Sequence, residues 1–239
     1  MGTMGRRDWL FVKGRECFLC RRPVAAGHLC PSCSRTLEMW EQEFRPCRRC
    51  GRLLRKEYTA ELCPQCQEKL PPFRLARAVG PYRGELRRAI LELKYRGRRS
   101  LAFPLGYLLS RVVAEEPLYG RPQAVIPVPL SSRRFKERAF NQSALLSEEL
   151  GRFLGLKVLD RVLVKERHTP PQAGLDRPAR LQNLQGSFAV VESSSVEGLD
   201  VLLVDDVLTT GITAAACTVA LLQGGARSVA VVTVATSLC

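Results

Sequence analysis

Residues 201–214 have the sequence VLLVDDVLTTGITA, and this stretch decides the fold. Its first four residues are apolar and include two valines, which predicts a short buried strand over 201–204. Two adjacent acids, Asp205 and Asp206, follow the strand, and a loop of small and hydroxyl-bearing residues comes next. A helix is predicted over 214–222, where two glycines end it. Because ligands bind beyond the carboxyl ends of the strands in a parallel sheet, this strand–loop–helix unit predicts a ligand site.

The chemistry of the loop favours a sugar phosphate as the ligand. Backbone N–H groups and a helix N-terminus attract an anion, and Thr209, Thr210 and Thr213 add hydroxyl donors. Gly211 lets the backbone approach the ligand closely. The two carboxylates cannot bind a phosphate, but they suit the cis-diol of a ribose or a magnesium ion. The loop is therefore interpreted as a binder of ribose 5-phosphate, and it lacks the glycine–lysine pattern of a P-loop.

Strands and helices alternate along the chain before and after this unit. The pattern predicts further strands over 124–128, 158–164 and 228–235, and helices over 84–95, 101–113 and 140–154. Residues 165–186 are polar and contain three prolines, which predicts a long functional or mobile loop. The alternation indicates an α/β fold, a parallel sheet flanked by helices on both faces.

Four Cys-x-x-Cys pairs precede this domain. The pairs are Cys17/Cys20, Cys30/Cys33, Cys47/Cys50 and Cys63/Cys66. Two pairs supply the four thiolates of a closed structural zinc site, so the sequence predicts two zinc ions. Sequential pairing of neighbouring pairs is favoured over an interleaved arrangement, and each cluster is expected to form its own ribbon. His28 could compete as a ligand, but a surface histidine is the preferred interpretation, while Cys217 and Cys239 are expected to be a core residue and a tail residue. Metal should fold this module, because it can bury little core of its own.

The length and the apolar content fit two units. The chain has 239 residues, of which 46% are hydrophobic. Two prolines in residues 70–73 predict a linker, which gives a zinc module over 1–72 and an α/β domain over 73–239. No apolar run is long enough to insert into a membrane, and the apolar stretch at residues 9–12 is too short for a signal peptide. The expected compartment is the cytoplasm, where thiols stay reduced.

The positive charge is unevenly distributed. The formal net charge of +14 is made of +16 in residues 1–139 and −2 in residues 140–239. A localised basic surface favours a polyanion or a phosphate-rich ligand, and the alternative is that the charge serves solubility alone. If the polyanion is single-stranded DNA, the protein would contact mostly its phosphates, because few aromatic residues of the cysteine module are available for base stacking. The candidate contacts are Arg48, Arg49 and Arg52.

The stretch 201–214 resembles the motif of type I phosphoribosyltransferases that binds 5-phosphoribosyl 1-diphosphate (PRPP). That motif is an apolar strand, two acids, a few residues and then Thr/Ser-Gly-x-Thr. The matching residues are Asp205, Asp206, Val207, Leu208, Thr209, Thr210, Gly211, Ile212 and Thr213. The resemblance implies a type I phosphoribosyltransferase-like domain that takes PRPP together with magnesium, or a nucleoside 5′-phosphate.

Other stretches resemble the ComF family, which is linked to natural competence, the import of DNA. They are LKYRGR at 93–98, VIPVPLSSRR at 125–134, RAFNQ at 138–142, and TPPQ at 169–172 with the polar segment that follows it. Cysteine ribbons ahead of a transferase-like domain are also that family's layout. The resemblance implies single-stranded DNA and DNA-uptake proteins as partners. Ala139 departs from the family, which usually has glycine there, so a turn that requires a positive φ would have to differ here.

The same resemblance implies roles for several polar residues. Ser131, Ser132, Arg133 and Arg134 would form the pyrophosphate loop, since basic side chains suit a diphosphate. Arg138, Asn141 and Gln142 would flank that loop. Residues 165–186 would form a hood over the ligand, with Arg180 as its contact.

Two functions remain open at this point. The first is an active phosphoribosyltransferase of unknown acceptor; Thr209 stands where purine-salvage members of the family carry an acid, which argues against hypoxanthine-type substrates. The second, which is preferred, is a PRPP-binding protein that acts in DNA uptake by holding single-stranded DNA. A complete amidophosphoribosyltransferase is not expected, because the sequence contains no glutaminase domain.

Overall fold

The computed structural model describes residues 16–25, 29–165 and 187–239. The predictions that concern His28, Arg180 and the hood over 166–186 lie outside the described residues.

A five-stranded parallel sheet forms the centre of the molecule. Its strands, from one edge to the other, are β3 (Leu75–Pro81), β9 (Ser228–Thr236), β8 (Asp200–Leu208), β4 (Ala124–Pro127) and β5 (Lys157–Val158). All four neighbouring pairs are parallel, which confirms the predicted sheet. Strand β8 lies in the middle, so its carboxyl end and the loop after it are surrounded by other elements.

Helices cover both faces of the sheet. They are α3 (Gly84–Tyr95), α4 (Ala102–Glu115), α6 (Gln142–Leu154) and α7 (Ile212–Gln223). Side chains of a strand alternate between faces. Leu202 and Val204 of β8 therefore pack in one core with residues of α3, α4 and α6, and Val201 and Leu203 pack in a second core with residues of α7. A strand buried on both faces is apolar throughout, as residues 201–204 are.

Two strands differ from the sequence prediction. Strand β8 continues through the acid pair to Leu208, because Val207 and Leu208 pair with Ala235 and Thr236 of β9. The strand predicted over 158–164 is divided into β5 and β6 (Leu163–Lys165). The latter pairs antiparallel with β7 (Phe188–Val190) in a separate two-stranded sheet.

The cysteine module repeats one arrangement twice. A short antiparallel pairing flanks the first Cys-x-x-Cys pair of each cluster: a bridge between Glu16 and Pro23 in the first, and strands β1 (Phe44–Pro46) and β2 (Leu53–Arg55) in the second. The second pair of each cluster lies at the start of a helix, α1 (Pro31–Glu43) or α2 (Pro64–Glu68). Each cluster is thus half hairpin and half helix start. Proline suits the first helical position because it has no N–H to satisfy.

The second cysteine cluster packs against the edge strand β3 and is hydrogen-bonded to it. Gly51 has φ +71°, and a side chain on it would lie 2.3 Å from the carbonyl oxygen of Ala76, so only glycine allows this approach. The N–H of Ala76 donates to the carbonyl oxygen of Arg49 at 3.0 Å. The Arg77 guanidinium donates to the carbonyl oxygen of Cys47 at 3.3 Å. These contacts, two between backbone groups and one from a side chain, join the module to the sheet.

Among the residues that the structure describes, none of the helices combines the length and the apolar character that crossing a membrane requires.

Candidate functional site

Eight thiols form two metal-binding clusters. The structure groups them in sequence order, Cys17, Cys20, Cys30 and Cys33 in one cluster and Cys47, Cys50, Cys63 and Cys66 in the other. Within each cluster the four sulfur atoms lie within 4.8 Å of one another. A zinc ion with thiolate ligands at about 2.3 Å needs sulfurs about 3.8 Å apart, so both clusters can hold zinc. The four-sulfur sets leave no position for a substrate, as is typical of structural sites.

One cysteine in each cluster accepts a hydrogen bond that favours its thiolate form. The N–H of Cys33 donates to Cys30 Sγ at 3.4 Å and lowers the pKa of the Cys30 thiol to about 7. In the second cluster the Arg52 guanidinium donates to Cys63 Sγ at 3.3 Å. The two cysteines outside the clusters behave as predicted: Cys217 is fully buried in α7, and Cys239 is exposed at the tail.

Side chains of α3 and α6 hold the acid pair. Asp206 is 4% exposed; Lys94 Nζ forms an ion pair with its Oδ2, and Gln142 Nε2 donates to its Oδ1 at 3.3 Å. Asp205 Oδ1 accepts from Ser143 Oγ at 2.9 Å and from the N–H of Asp206 at 2.8 Å. Burial, reinforced by the negative charge of Asp206, raises the pKa of the Asp205 carboxyl. The two acids therefore differ in the groups that contact them: Asp206 has a cation as its partner, and Asp205 has a hydroxyl and a backbone N–H.

The loop after β8 forms a small polar cavity. The cavity has a volume of about 30 Å³ and is lined by Asp205, Val207, Leu208, Thr209, Thr210, Gly211, Ile212, Thr213, Ala214 and Thr233. Water-sized space of this volume holds roughly two waters, the scale of a phosphate group. Helix α7 begins directly after Gly211, which has φ 74°, and no side-chain hydrogen bond caps it. Its first N–H groups therefore remain suited to an anion. Asp206 does not line this cavity.

A second and larger cavity lies on the other side of the same loop. It has a volume of about 580 Å³ and is walled by the linker that ends at Phe73, by the exposed face of α7 and by the second cysteine cluster. Its walls are mainly apolar, and the described residues that line it include no acid, which favours an apolar group over a sugar diol. The loop thus separates a polar cavity, next to Asp205, from an apolar one.

The residues predicted to bind pyrophosphate are only partly brought to the site. Residues 132–138 form a helix, α5 (Ser132–Arg138), in place of the predicted loop, and Ser131 caps it by accepting from the N–H of Arg134 at 3.4 Å. The guanidinium of Arg133 pairs with Glu137 one turn later, and Ser132 and Arg134 are exposed. A helix formed because a serine cap precedes a run of good helix formers.

One of the flanking residues, Gln142, contacts the acid pair, and Arg138 is linked to the pair through Gln142. Arg138 donates to Gln142 Oε1 at 2.9 Å, and Gln142 in turn donates to Asp206. Asn141 has a structural role instead: its Oδ1 accepts from the N–H of Ser143 at 3.0 Å as the cap of α6, and its Nδ2 donates to the carbonyl oxygen of Val128 at 3.0 Å.

Sequence reasoning missed Lys94 and Ser143, which both contact the acid pair. Lys94 belongs to the LKYRGR stretch, and it lies in the last turn of α3, where a cation suits the helix dipole. Its neighbour Tyr95 is 66% exposed and accepts a hydrogen bond from Arg138 at 3.0 Å. The only signal was that a lysine and an aromatic residue end an otherwise amphipathic helix, which does not identify their partner.

Comparison with known proteins supplies the family. No protein-family model matches the chain. The chain is 34% identical over 224 residues to the DNA utilization protein YhgH of Salmonella typhimurium, a match that covers 90% of this chain and 94% of the relative. It is 33% identical over 205 residues to competence protein F of Haemophilus influenzae, covering 83% of this chain and 86% of the relative. The chain belongs to the ComF family.

Further matches include a third relative and two solved structures. Competence protein ComFC of Bacillus subtilis is 28% identical over 205 residues, covering 83% of this chain and 74% of that protein. Among solved structures, a glutamine PRPP amidotransferase from B. subtilis, complexed with ADP and GMP, is 20% identical with a TM-score of 0.40 and covers 59% of this chain and 30% of its own. A hypoxanthine phosphoribosyltransferase from Staphylococcus aureus is 20% identical with a TM-score of 0.32, covering 56% and 60%.

This ComF chain therefore combines three features. It has two four-cysteine clusters that could hold zinc, a five-stranded parallel sheet flanked by helices, and relatives that are named for competence and DNA utilization.

Proposed function

We propose that this ComF protein binds a ribose 5-phosphate group, as PRPP or a nucleoside 5′-phosphate, in the loop formed by residues 209–213. One observation carries the proposal: a single small cavity is lined both by the loop and by Asp205. An anion site and a hydroxyl acceptor therefore lie side by side. A sugar phosphate requires this combination, whereas an inorganic anion requires only the first part.

Each part of the cavity has a chemical task in this proposal. The uncapped N–H groups at the start of α7 and the hydroxyls of Thr209, Thr210 and Thr213 donate to the 5-phosphate. The Asp205 carboxylate accepts from a ribose hydroxyl, and Ser143 holds the other side of that carboxylate in place. Asp206 faces away from the cavity, so we assign it no direct contact with the sugar.

Calorimetry with PRPP tests this assignment. Asp205→Ala removes the hydrogen bond between a ribose hydroxyl and a carboxyl whose charged form is disfavoured by burial, worth about 0.5–1.5 kcal/mol, so affinity should fall by up to about tenfold. The matched control is Asp200→Ala, which removes an acid from the opposite end of the same strand, where it pairs with Arg227 on the surface. The control should bind PRPP as the wild type does. A wild-type protein that binds neither PRPP nor AMP, or an Asp205→Ala variant of unchanged affinity, would refute the proposal.

We further propose that the protein holds single-stranded DNA on the surface formed by α5 and the end of α3. Helix α5 has no buried residue, carries Arg133, Arg134 and Lys136, and exposes 52% of Phe135. Basic side chains around exposed aromatic rings are typical of single-strand binding surfaces. Competence and DNA utilization, the names of the relatives, are consistent with such a partner.

The cysteine module fits the DNA role less well than its charge suggested. Arg52 is 7% exposed and bonded to a cluster sulfur, Arg49 donates to the carbonyl oxygen of Pro71 at 3.1 Å, and Arg48 pairs with Glu61. We therefore assign Arg52 no contact with DNA, because its buried guanidinium is hydrogen-bonded to a sulfur of the second cysteine cluster.

A transferase reaction at this site would release pyrophosphate from PRPP. A coupled pyrophosphate assay with candidate acceptors measures this release separately from binding.

We place the protein in the cytoplasm, because two four-thiol zinc sites require reduced cysteines.

A further inference from the structure

A lysine stands where the fold family would lead one to expect a magnesium ion. Whether such an ion fits depends on which oxygen atoms of the site are free to bind it. Magnesium requires octahedral oxygen coordination at about 2.0–2.1 Å and is usually held by one or two carboxylates. Here Asp206 Oδ2 is in contact with Lys94 Nζ, and Asp206 Oδ1 accepts from Gln142. Both oxygens of the more buried acid are already used.

The Lys94–Asp206 pair is enclosed. The Lys94 side chain is 16% exposed and the Asp206 side chain is 5% exposed, so the pair is screened by water far less than the surface ion pairs of this chain. A divalent ion could reach Asp206 only by displacing a cation that is tethered to α3.

A ring of polar contacts fixes the lysine in this position. Asp206 contacts Lys94 and Gln142, Gln142 contacts Arg138, and Arg138 donates to the hydroxyl of Tyr95, the residue next to Lys94 on α3. The Arg138 guanidinium also lies 4.8 Å from the centre of the Tyr95 ring. The end of α3 is thus held from both sides.

We propose that Lys94 is the resident counter-cation of the acid pair and that it excludes a divalent metal ion from Asp206. Lys94 is then a positioning residue: it neutralises Asp206 and leaves Asp205 as the acid that faces the ligand. This inference rests on the proposed function for its ligand. Its consequence is that a sugar phosphate without a diphosphate binds equally well with and without magnesium.

The direct test is a titration of the zinc-loaded protein with Mn²⁺, in which free Mn²⁺ is followed by electron paramagnetic resonance. Wild type should show no site with a dissociation constant below about 1 mM, the weak end of carboxylate sites. Lys94→Met should gain one site per chain, because the two acids are then without their cation. Lys94→Arg, which keeps the charge, and Lys136→Met, which removes an exposed lysine from α5, should bind Mn²⁺ no better than wild type.

Two outcomes would overturn the proposal. One is a Mn²⁺ ion that wild type binds and the variant Asp206→Asn does not. The other is a folded Lys94→Met protein without the new site.

A second measurement needs no variant at Lys94. Ribose 5-phosphate is titrated into wild type by calorimetry in magnesium-free buffer and in millimolar magnesium, without chelators, so that the zinc sites remain intact. The two affinities should agree within about twofold. An affinity that rises about tenfold or more with magnesium would overturn the role of Lys94 while leaving the ribose phosphate site itself established. If ribose 5-phosphate does not bind at all, the proposed function fails, and the Mn²⁺ titration still decides the role of Lys94.

Discussion

At the scale of single residues, Ala139 shows a conflict between sequence and backbone. It ends α5 with φ 60° and ψ 8°, and its N–H donates to the carbonyl oxygen of Phe135 at 2.7 Å. The family resemblance predicts glycine at this position, and the structure shows that the turn keeps its positive φ with alanine. A β-carbon in this conformation costs roughly 1–2 kcal/mol, because it approaches the carbonyl oxygen too closely.

The strain predicts that Ala139→Gly stabilises the protein. Relief of the β-carbon contact outweighs the extra freedom that glycine gives to the unfolded chain, so the free energy of unfolding should rise by about 0.5–1 kcal/mol. Urea denaturation followed by circular dichroism measures it. The control is Ala114→Gly, at an exposed position in the last turn of α4, where glycine should lower the free energy of unfolding by up to about 0.5 kcal/mol. Destabilisation by both substitutions would show that Ala139 is unstrained.

At the scale of elements, local patterns were sufficient for the four helices that flank the sheet and for its parallel strands, but not for the order of those strands. The apolar spacing predicted α3 over 84–95, and the structure has it at Gly84–Tyr95. The extension of β8 through Asp206 could not be predicted, because it depends on pairing with β9. That extension places Asp205 and Asp206 on opposite faces, so two acids that are adjacent in sequence have different surroundings. Lys94, the ion-pair partner of Asp206, lies more than a hundred residues earlier in the chain, and no local pattern encodes that contact.

The element that best tests DNA binding is α5. Substituting Arg133, Arg134 and Lys136 by glutamine removes up to three phosphate contacts. Because each contact contributes about 0.7 to the slope of log affinity against log salt for single strands, that slope should fall by about 2. The variant Phe135→Ala should instead weaken binding by about tenfold at every salt concentration, since stacking is worth about 1–3 kcal/mol per base. Fluorescence anisotropy with a labelled oligothymidylate measures both effects.

The matched control removes the same charge elsewhere. Arg152, Lys157 and Arg161 are exposed near the end of α6 and at β5, and their triple glutamine variant loses three positive charges as well. It should keep most of the salt dependence of wild type. If the two triple variants weaken binding equally, the effect is one of net charge, and α5 is not the binding surface.

At the scale of the whole molecule, the second cysteine cluster and the phosphate loop are connected through the C-terminal tail. The N–H of Cys239 donates to the carbonyl oxygen of Leu53 in β2 at 3.0 Å, and the N–H of Leu53 donates to the carbonyl oxygen of Ser237 at 3.3 Å. Ser237 Oγ then donates to the carbonyl oxygen of Thr209 in the loop at 3.1 Å. The tail therefore lies between the β1–β2 hairpin of the cluster and the ligand loop, bonded to both.

This connection predicts that loss of zinc from the second cluster weakens ligand binding. Metal folds a small cysteine module, so Cys63→Ser with Cys66→Ser should release the β1–β2 hairpin and, with it, the pairing of Leu53 with the tail. Hydrogen exchange at the amides of Leu53 and Cys239 should become faster, since these groups lose their partners. Affinity for ribose 5-phosphate should fall by about three- to tenfold, a loss of about 1 kcal/mol, because the loop is then ordered only on binding.

The equivalent change in the first cluster, Cys30→Ser with Cys33→Ser, is the control. That cluster contacts α3, where Arg88 donates to the carbonyl oxygen of Leu19, and it makes no hydrogen bond to the tail among the described residues. Equal affinities for the two double variants would show that the tail does not couple the cluster to the loop.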